Sequence, residues 1–361
     1  MSALTTRERS ALALIVALTA LAGVANYGRW AAVPRFAIAT VALAGLAWVV
    51  SFATEQLGER FGPGVTGMLQ SSLGNLPELF VVIFALQKGE LVVAQTAIVG
   101  SILANGLLVL GLVIVVGARR SPDGVMRFSK RLPRDTATLL QVTVFIIVLL
   151  GLSLASHDPA SHHVKAISVV GAISLLIVYL AWAVPYLRSD TAPGAAAGPV
   201  AGGAESHEPR VSLAVTLVLL LAAGTASAFV SDWFVAALQP AIVQLHVSPA
   251  FAGLVIVAIA GNAVENTAGL VLAWKGHADL AISVVKNSVA QIAAFLFPLL
   301  VLISFALSTT LTFSLAPVYI GALLLTTLAL AQVTGDGEAA AFEGWALVAL
   351  YVILGTLTLY E

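Results

Sequence analysis

Apolar stretches of about twenty residues recur along the whole chain, and they limit the fold more than any other feature. A helix of that length crosses the hydrocarbon core of a bilayer. Of the 361 residues, 60% are hydrophobic and 10% are charged, whereas roughly a quarter of the residues of a soluble domain are charged. A soluble fold cannot bury so much apolar surface. The sequence therefore predicts an all-α membrane protein with many spans.

Charged residues and Pro or Gly breaks separate the apolar stretches into eleven predicted transmembrane helices. Segments at membrane depth should be helical, because an unpaired backbone N–H or C=O group is costly in lipid. The predicted helices lie near residues 11–27, 34–53, 64–87, 91–117, 137–156, 165–187, 211–238, 248–275, 279–305, 312–333 and 342–360.

The distribution of Lys and Arg among the predicted loops indicates the orientation of the chain. Twelve of these residues lie on the side of the N-terminus and four lie on the other side. Cytoplasmic loops are enriched in Lys and Arg. We therefore predict a multi-pass protein of the plasma (inner) membrane, with its N-terminus in the cytoplasm and Glu361 outside.

Two segments of the chain align without a gap at an offset of 187 residues: GNLPELFVVIFALQKGE and GNAVENTAGLVLAWKGH. Asn75 falls on Asn262 and Glu78 falls on Glu265. A match of this length in one register indicates an internal repeat. Both copies contain the pattern GNxxE.

The repeat divides the chain into two related units. An odd number of spans in each unit places the units in opposite membrane orientations, and such inverted repeats form a substrate site where they meet at the midplane. The predicted fold is thus an inverted 5+5 repeat preceded by one extra helix. Its parts are a first transmembrane helix (1–30), a first five-helix repeat (31–187), a flexible cytoplasmic linker rich in Ala, Gly and Pro (188–210) and a second five-helix repeat (211–361).

Glu78 and Glu265 each lie inside an apolar span. An acidic side chain at the centre of a span costs roughly 2.5 to 3.5 kcal/mol on insertion scales, so such residues usually face a polar cavity. Two carboxylates that face each other can bind a divalent cation, and they can hold protons after the cation leaves, because two like charges at close range repel. The pair predicts a site that exchanges cations for protons.

Other polar residues of the two repeats are placed to complete an oxygen shell. Gly74, Gly261 and Pro77 loosen or break their helices, which frees backbone carbonyls that hard cations accept as ligands. Amides three residues before the acids lie on the same helix faces, and the next span of each repeat adds small polar groups. The predicted ligands beside Glu78 and Glu265 are Asn75, Asn262, Ser101, Asn105, Ser288 and Gln291. For each polar residue alone, the alternative is an inter-helix packing contact.

The GNxxE segments and their surroundings resemble the Ca2+/H+ exchanger (cation exchanger) family of the calcium/cation antiporter superfamily, whose two alpha-repeats carry this motif. The similarity covers EQLGERFGPGVTGMLQSSLGNLPELFVVIFALQKGELVVAQTAIVGSILANGLLVLG and FAGLVIVAIAGNAVENTAGLVLAWKGHADLAISVVKNSVAQIAAFLFPLLVL, together about a third of the chain. The resemblance implies eleven helices. It also implies that Glu78 and Glu265 alternate as cation ligands and proton carriers.

The chain departs from the family pattern at two places in the second repeat. Asn266 stands where the pattern GNAxEH has histidine, and Lys286 precedes the segment that usually reads GSATQ. Lys286 puts a cation in the middle of a span. We interpret it as a candidate charge modulator that acts as an internal counter-ion, binds a proton in competition with the substrate, or favours a monovalent ion. The alternative is a side chain that extends along its helix to the membrane interface and has no role in transport.

The sequence thus predicts a secondary active antiporter that exports Ca2+ in return for protons. The nearest alternative is a Na+(K+)/H+ antiporter on the same fold, and a passive cation channel could use the same carboxylates. We predict no enzyme, because the spans contain no H-E-x-x-H, G-x-S-x-G or Gly-rich phosphate motif.

The predicted partners are the transported ions and membrane lipid, without a cofactor. The transported ions are Ca2+, or Na+ or K+, together with protons. The basic run from Arg119 to Arg134 lacks interleaved aromatic residues. We therefore predict that it contacts anionic lipid and not nucleic acid. The oligomeric state is left open.

Overall fold

The computed structural model describes residues 4–58, 73–129, 131–190 and 211–361. Within these ranges, the side chains of residues 131–133, 186–190, 264 and 265 lie outside the description. The described chain is almost entirely helical. Its helices are α1 (Thr6–Tyr27), α2 (Ala32–Gly58), α3 (Leu76–Gln87), α4 (Leu91–Arg120), α5 (Arg131–Ala155), α6 (Val164–Asp190), α7 (Leu213–Leu245), α8 (Pro249–Gly261), α9 (Ala263–Trp274), α10 (Ala278–Ser304), α11 (Pro317–Thr334) and α12 (Ala341–Leu359).

Within the described ranges, nine helices are long and apolar enough to cross a membrane. The helices α8 and α9 make a tenth span if they are taken together, with a bend of 57° between them. The shorter apolar helix α3 corresponds to the end of the predicted span 64–87, whose beginning lies outside the described residues. The predicted count of eleven spans therefore stays a prediction.

Large apolar side chains are exposed along the outer faces of the helices. The hydrocarbon core of a bilayer is the environment that these faces fit. The predicted integral, multi-pass membrane protein is confirmed. Examples of these side chains are Leu14, Phe145, Ile177, Leu221, Leu325 and Ile353.

The helix α7 is longer than the sequence predicted. The predicted span ended at residue 238, before Pro240, but the helix continues through this proline to Leu245. Proline removes one backbone hydrogen bond, and neighbouring helices allow membrane helices to tolerate this loss. The next residue, His246, adopts a left-handed conformation with φ of 55° and caps the end of the helix.

The structure reproduces the internal repeat at the predicted offset of 187 residues. Adding that offset to the bounds of α3 gives the bounds of α9, and adding it to Leu91 gives Ala278, the first residue of α10. The turns before α4 and α10 also correspond, because Gly89 has φ of 81° and Gly276 has φ of 85°. The left-handed conformation explains why both turns carry glycine.

A short antiparallel ribbon connects two loops on one side of the protein. β1 (Val125–Arg127) pairs with β2 (Glu338–Ala340), and Val125 lies opposite Ala340. Beside the ribbon, the Arg127 guanidinium lies 2.7 Å from the Asp123 carboxylate and lowers the pKa of that carboxyl group. This ribbon was not predicted from the sequence, because three-residue strands leave no clear alternation of apolar and polar residues.

The helix α4 lies at the centre of the described structure and packs closely against α8. In the most apolar part of α4, 89% of the residues are buried inside the protein. A Cβ atom placed on Gly100 would lie 2.5 Å from the Cα and carbonyl oxygen of Leu254 in α8. Membrane helices use small residues in this way to bring their backbones together. The contact matters for function because it sets the distance between α4 and the end of α8.

We expect Gly100→Ala to destabilise the protein, because the added methyl group would clash with the backbone of α8. Overpacking of this kind costs about 1 to 3 kcal/mol. The matched control is Gly321→Ala in α11, where an added Cβ atom meets nothing within 4 Å. Thermal unfolding in detergent checks both variants. A melting temperature of Gly100→Ala at or above that of Gly321→Ala would contradict the close packing.

Candidate functional site

The GNxxE segment interrupts the helical backbone in each repeat at its asparagine. Asn75 precedes α3, and Asn262 separates α8 from α9. The carbonyl oxygen of Asn75 accepts a hydrogen bond from the Leu79 N–H group at 2.9 Å, and that of Asn262 accepts one from Asn266 at 3.0 Å. The predicted helix breaks are therefore present. Each break begins a new helix inside the protein.

The two predicted acids occupy the same place in these new helices. Glu78 and Glu265 are the third residues of α3 and α9, respectively. The N-terminal end of a helix carries a partial positive charge, which favours a carboxylate in its first turn. The local sequence thus provides an electrostatic setting for an acidic group that would be costly elsewhere at this depth.

Glu78 is buried next to the second repeat. Its exposed fraction is 2%, and a Cβ atom placed on Gly261 would lie 3.8 Å from its Cβ atom. The first GNxxE acid and the second GNxxE glycine are therefore neighbours. The Glu265 side chain lies outside the described residues, so the predicted pairing of the two carboxylates stays a prediction.

A buried network of neutral polar side chains joins the two repeats. The Asn262 side-chain amide donates a hydrogen bond to the Ser101 hydroxyl at 2.9 Å. The Asn105 side-chain amide donates to Asn262 Oδ1 at 3.2 Å and to the Ser288 hydroxyl at 2.9 Å. All four side chains are at most 3% exposed. The structure thus brings together four of the predicted site residues, from α4, from α10 and from the break before α9.

Two further predicted site residues are also buried near these elements. Asn75 is 5% exposed at the start of α3. Gln291 is 3% exposed and lies one helical turn after Ser288 on α10. The side-chain oxygens of Gln291 and Asn105 accept no hydrogen bond from any described residue. Buried oxygens of this kind are suitable ligands for a hard cation such as Ca2+.

Three helices around the polar network, α4, α8 and α10, each contain a stretch of π-helix. The stretches are Ala104–Val109 in α4, Ala252–Val257 in α8 and Ile292–Leu296 in α10. In α4, Asn105 lies inside the π-helical stretch. Such wide turns are rare and often occur at functional sites. These π-helical stretches could not be predicted from the sequence, because one extra residue in a turn leaves no signal in a stretch that is apolar throughout.

Lys286, the candidate charge modulator, is buried on α10, and its ammonium group contacts the end of α11. Its ammonium group donates a hydrogen bond to the Thr334 hydroxyl at the end of α11, at 2.6 Å. Ser288 follows two residues later, and two residues correspond to about 200° around a helix. Lys286 and Ser288 therefore lie on opposite sides of α10.

The described geometry defines a class of protein. Two related helical units each contribute a broken helix with an acid in its first turn, and their polar side chains meet inside the bilayer. Many secondary transporters are built in this way, with one site between two structural repeats.

The chain belongs to the sodium/calcium exchanger protein family, whose model matches residues 31–185 and 215–360. This match confirms the predicted resemblance to the calcium/cation antiporters. The chain is 31% identical over 336 residues to the vacuolar calcium ion transporter of Schizosaccharomyces pombe. This alignment covers 92% of this chain and 80% of that protein. It is 30% identical over 344 residues to the Ca2+/H+ antiporter ChaA of Bacillus subtilis. This alignment covers 94% of this chain and 96% of that protein.

The fold is also similar to a known structure over nearly its whole length. The structure of native YfkE superimposes with a TM-score of 0.79 and is 26% identical in sequence. The superposition covers 97% of this chain and 100% of that chain. The similarity therefore includes both repeats and not just the GNxxE segments.

Proposed function

We propose that this protein is a secondary active Ca2+/H+ antiporter that exports Ca2+ in return for protons. The observation that carries the proposal is the burial of Glu78, whose Cβ atom lies beside Gly261, the residue before the break at Asn262. The similar proteins named as a calcium transporter and a Ca2+/H+ antiporter support the choice of ion.

The proposed site matches the chemistry of Ca2+. This ion takes six to eight oxygen ligands at about 2.3 to 2.6 Å from carboxylates, amide oxygens, hydroxyls and backbone carbonyls. The Oδ1 atom of Asn105 and the Oε1 atom of Gln291 are buried acceptors that a bound ion would satisfy. We propose Glu78 and Glu265 as the charged ligands. Asn75, Asn262, Ser101, Asn105, Ser288 and Gln291 supply the neutral oxygens.

Coupling to protons follows from the use of the same carboxylates for both substrates. A protonated carboxyl group is a poor ligand for Ca2+, and a Ca2+-bound carboxylate has little affinity for a proton. With Glu78 and Glu265 as proton carriers, each state of the site is electrically compensated by either Ca2+ or protons. A site that is emptied of both would leave buried charges without compensation. This cost discourages transport of one substrate without the other.

Movement of the site between the two membrane sides follows from the broken helices. The break at Asn262 leaves α8 and α9 bent by 57°. We propose that the segments bearing the acids rock or slide relative to the remaining helices, which exposes the site to each side in turn. With the N-terminus in the cytoplasm of a plasma (inner) membrane, inward proton movement drives Ca2+ outward.

A Na+(K+)/H+ antiporter is the second candidate, and Lys286 is the observation that favours it. A buried positive charge near a cation site opposes a divalent ion more strongly than a monovalent one. This candidate uses the same site and the same carboxylates. The choice between the two candidates is therefore a question of ion selectivity.

Transport by the purified protein in liposomes tests both candidates. We expect an imposed pH gradient to drive Ca2+ uptake against its own gradient, and we expect added Ca2+ to dissipate the pH gradient. Na+ and K+ are tested in parallel, and protein-free liposomes provide the control. Proton-coupled movement of Na+ or K+ without Ca2+ would support the second candidate. Downhill Ca2+ flux that ignores the pH gradient would indicate a channel.

A further inference from the structure

The C-terminal ends of α3 and α9, the two helices that carry the GNxxE acids, are each bound by the other repeat. At the end of α3, the Ser308 hydroxyl donates to the carbonyl oxygens of Leu86 and Gln87, at 3.0 and 2.8 Å. At the end of α9, the Arg120 Nε–H group donates to the Trp274 carbonyl oxygen at 2.8 Å. The last carbonyl groups of a helix have no partner within the helix. We call these interactions the α3 end contact and the α9 end contact.

The two end contacts are related by the internal repeat. Adding the offset of 187 residues to Gln87 gives Trp274, and adding it to Arg120 gives Leu307, the residue before Ser308. The same two places of the repeats are therefore joined, by a hydroxyl group in one contact and by a guanidinium group in the other. Between the two helix ends, the described chain crosses the membrane five times, through α4, α5, α6, α7 and the bent pair of α8 and α9. An odd number of crossings puts the two end contacts on opposite membrane sides.

Charged side chains reinforce both end contacts. The Lys88 ammonium group, directly after α3, lies 2.6 Å from the Asp232 carboxylate in α7 and donates to the Asp232 carbonyl oxygen at 3.0 Å. The Arg120 guanidinium lies 5.2 Å from the centre of the Trp274 ring, in a cation–π contact. The Lys88 and Asp232 side chains are 35% and 45% exposed. Exposed pairs of this kind are weak, so they can hold a helix end and still break in each transport cycle.

The end contacts lie at the far ends of α3 and α9 from the helix breaks. Each helix has 12 residues, about 18 Å, and begins directly after the break at Asn75 or Asn262. A helix that tilts about its break moves most at its other end. A tilt of about 10° displaces this end by about 3 Å, which is the length of one hydrogen bond. The end contacts therefore cannot persist while α3 or α9 tilts.

We propose that Ser308 and Arg120 are positioning residues that hold α3 and α9 in place, one on each membrane side, and that each end contact opens when its helix moves during transport. The inference rests on the proposed function, because it takes movement of the segments bearing Glu78 and Glu265 as the transport step. Opening of one end contact while the other stays closed exposes the site to one side only.

Cross-linking tests whether the end contacts open, and it is specific because the chain has no cysteine. One variant combines Gln87→Cys with Ser308→Cys, and the other combines Arg120→Cys with Trp274→Cys. When a short bifunctional thiol reagent joins either pair, we expect Ca2+/H+ exchange in proteoliposomes to be lost, and reduction of the cross-link to restore it. Equilibrium Ca2+ binding in detergent should be retained, because the other side of the protein still opens to the site.

A matched control places the same cross-link between two segments that carry neither acid. Arg127→Cys combined with Glu338→Cys joins β1 and β2, where these two residues lie directly opposite each other. This ribbon also connects the two repeats. The cross-linked control should exchange Ca2+ at the rate of its reduced form.

A second measurement keeps the test decisive if a cysteine pair does not fold. Ala85→Cys and Ala273→Cys each place one thiol at a fully buried position near the end of α3 or α9. Adding Ser308→Ala should speed labelling of the thiol at residue 85 by about fivefold, the effect of one net hydrogen bond, and should leave the thiol at residue 273 unchanged. Adding Arg120→Gln should do the reverse.

Full exchange by either cross-linked protein would overturn the proposal, because that end contact would then stay closed throughout transport. Labelling rates that ignore Ser308→Ala and Arg120→Gln would also overturn it. Loss of Ca2+ binding on cross-linking would place the end contacts in the cation site, contrary to the proposal. If the wild type does not exchange Ca2+ for protons, the proposed function fails, and the labelling rates, which need no transport, still test the end contacts.

Discussion

Glu78→Gln is expected to abolish proton-coupled Ca2+ transport. Glutamine keeps the size of the side chain but can neither carry the negative charge that binds Ca2+ nor release a proton. A carboxylate in contact with a divalent ion contributes several kcal/mol even at an effective dielectric constant of about 20. The apparent affinity for Ca2+ should therefore fall by at least 100-fold, on the order of the loss of one charged ligand. Ca2+ uptake into proteoliposomes under a pH gradient measures the effect.

Glu338→Gln is the matched control for Glu78→Gln. The same substitution is made here at an exposed position in β2, where the Glu338 carboxylate lies 3.5 Å from the Arg127 guanidinium. Exposed ion pairs contribute about 0 to 1 kcal/mol, so transport should remain near the wild-type level. If Glu78→Gln folds and still exchanges Ca2+ for protons at the wild-type rate, Glu78 is a structural residue and the proposed mechanism is wrong.

Asn262→Ala is expected to reduce Ca2+ transport by about tenfold or more, because it removes the side chain that connects the two repeats. The variant loses the hydrogen bonds from Asn262 to Ser101 and from Asn105 to Asn262. A buried polar group that loses its partner costs about 1 to 3 kcal/mol. The effect should appear mainly in the apparent affinity for Ca2+. Initial uptake rates over a range of Ca2+ concentrations measure it.

Thr267→Ala in α9, the helix that begins directly after Asn262, is the control for Asn262→Ala. The Thr267 hydroxyl donates a hydrogen bond to the Ala263 carbonyl oxygen, four residues earlier, and it is exposed. Its loss changes no contact between the two repeats, so transport should be retained. Equal losses in Asn262→Ala and Thr267→Ala would mean that α9 is generally sensitive to substitution. The special role of the network would then be refuted.

The sequence predicted the parts of the fold that depend on apolar length and on the repeat. The bounds of α3 and α9 follow the predicted offset, since the same local pattern produces the same helix twice. The span that was predicted to end at residue 238 was too short, because a membrane helix tolerates Pro240. Short strands and π-helical turns depend on contacts between distant segments, and neither leaves a periodic signal in the chain.

The sequence predicted which residues belong to the candidate site, but it did not predict which of them contact each other. Asn262, Ser101, Asn105 and Ser288 were predicted from their places in the repeat, and the structure shows that they form one network. The direct pairing of Asn105 with Asn262 could not be predicted, because these residues are not equivalent in the repeat. It depends on the close approach of α4 and α8 at Gly100.

The partner of Lys286 was likewise beyond the reach of sequence patterns. Its position inside a span identified it as unusual, but its contact with Thr334 depends on where the end of α11 lies relative to α10. Threonine is common in membrane helices and gives no signal by itself.

The number of Ca2+ ions bound per chain tests most directly whether one acid from each repeat contributes to a single Ca2+ site. Equilibrium binding to the purified wild type, Glu78→Gln and Glu265→Gln gives this number. We predict one tightly bound Ca2+ per wild-type chain and none in either variant, because each substitution destroys the same site. Two ions in the wild type and one in each variant would show two independent sites and would contradict the claim.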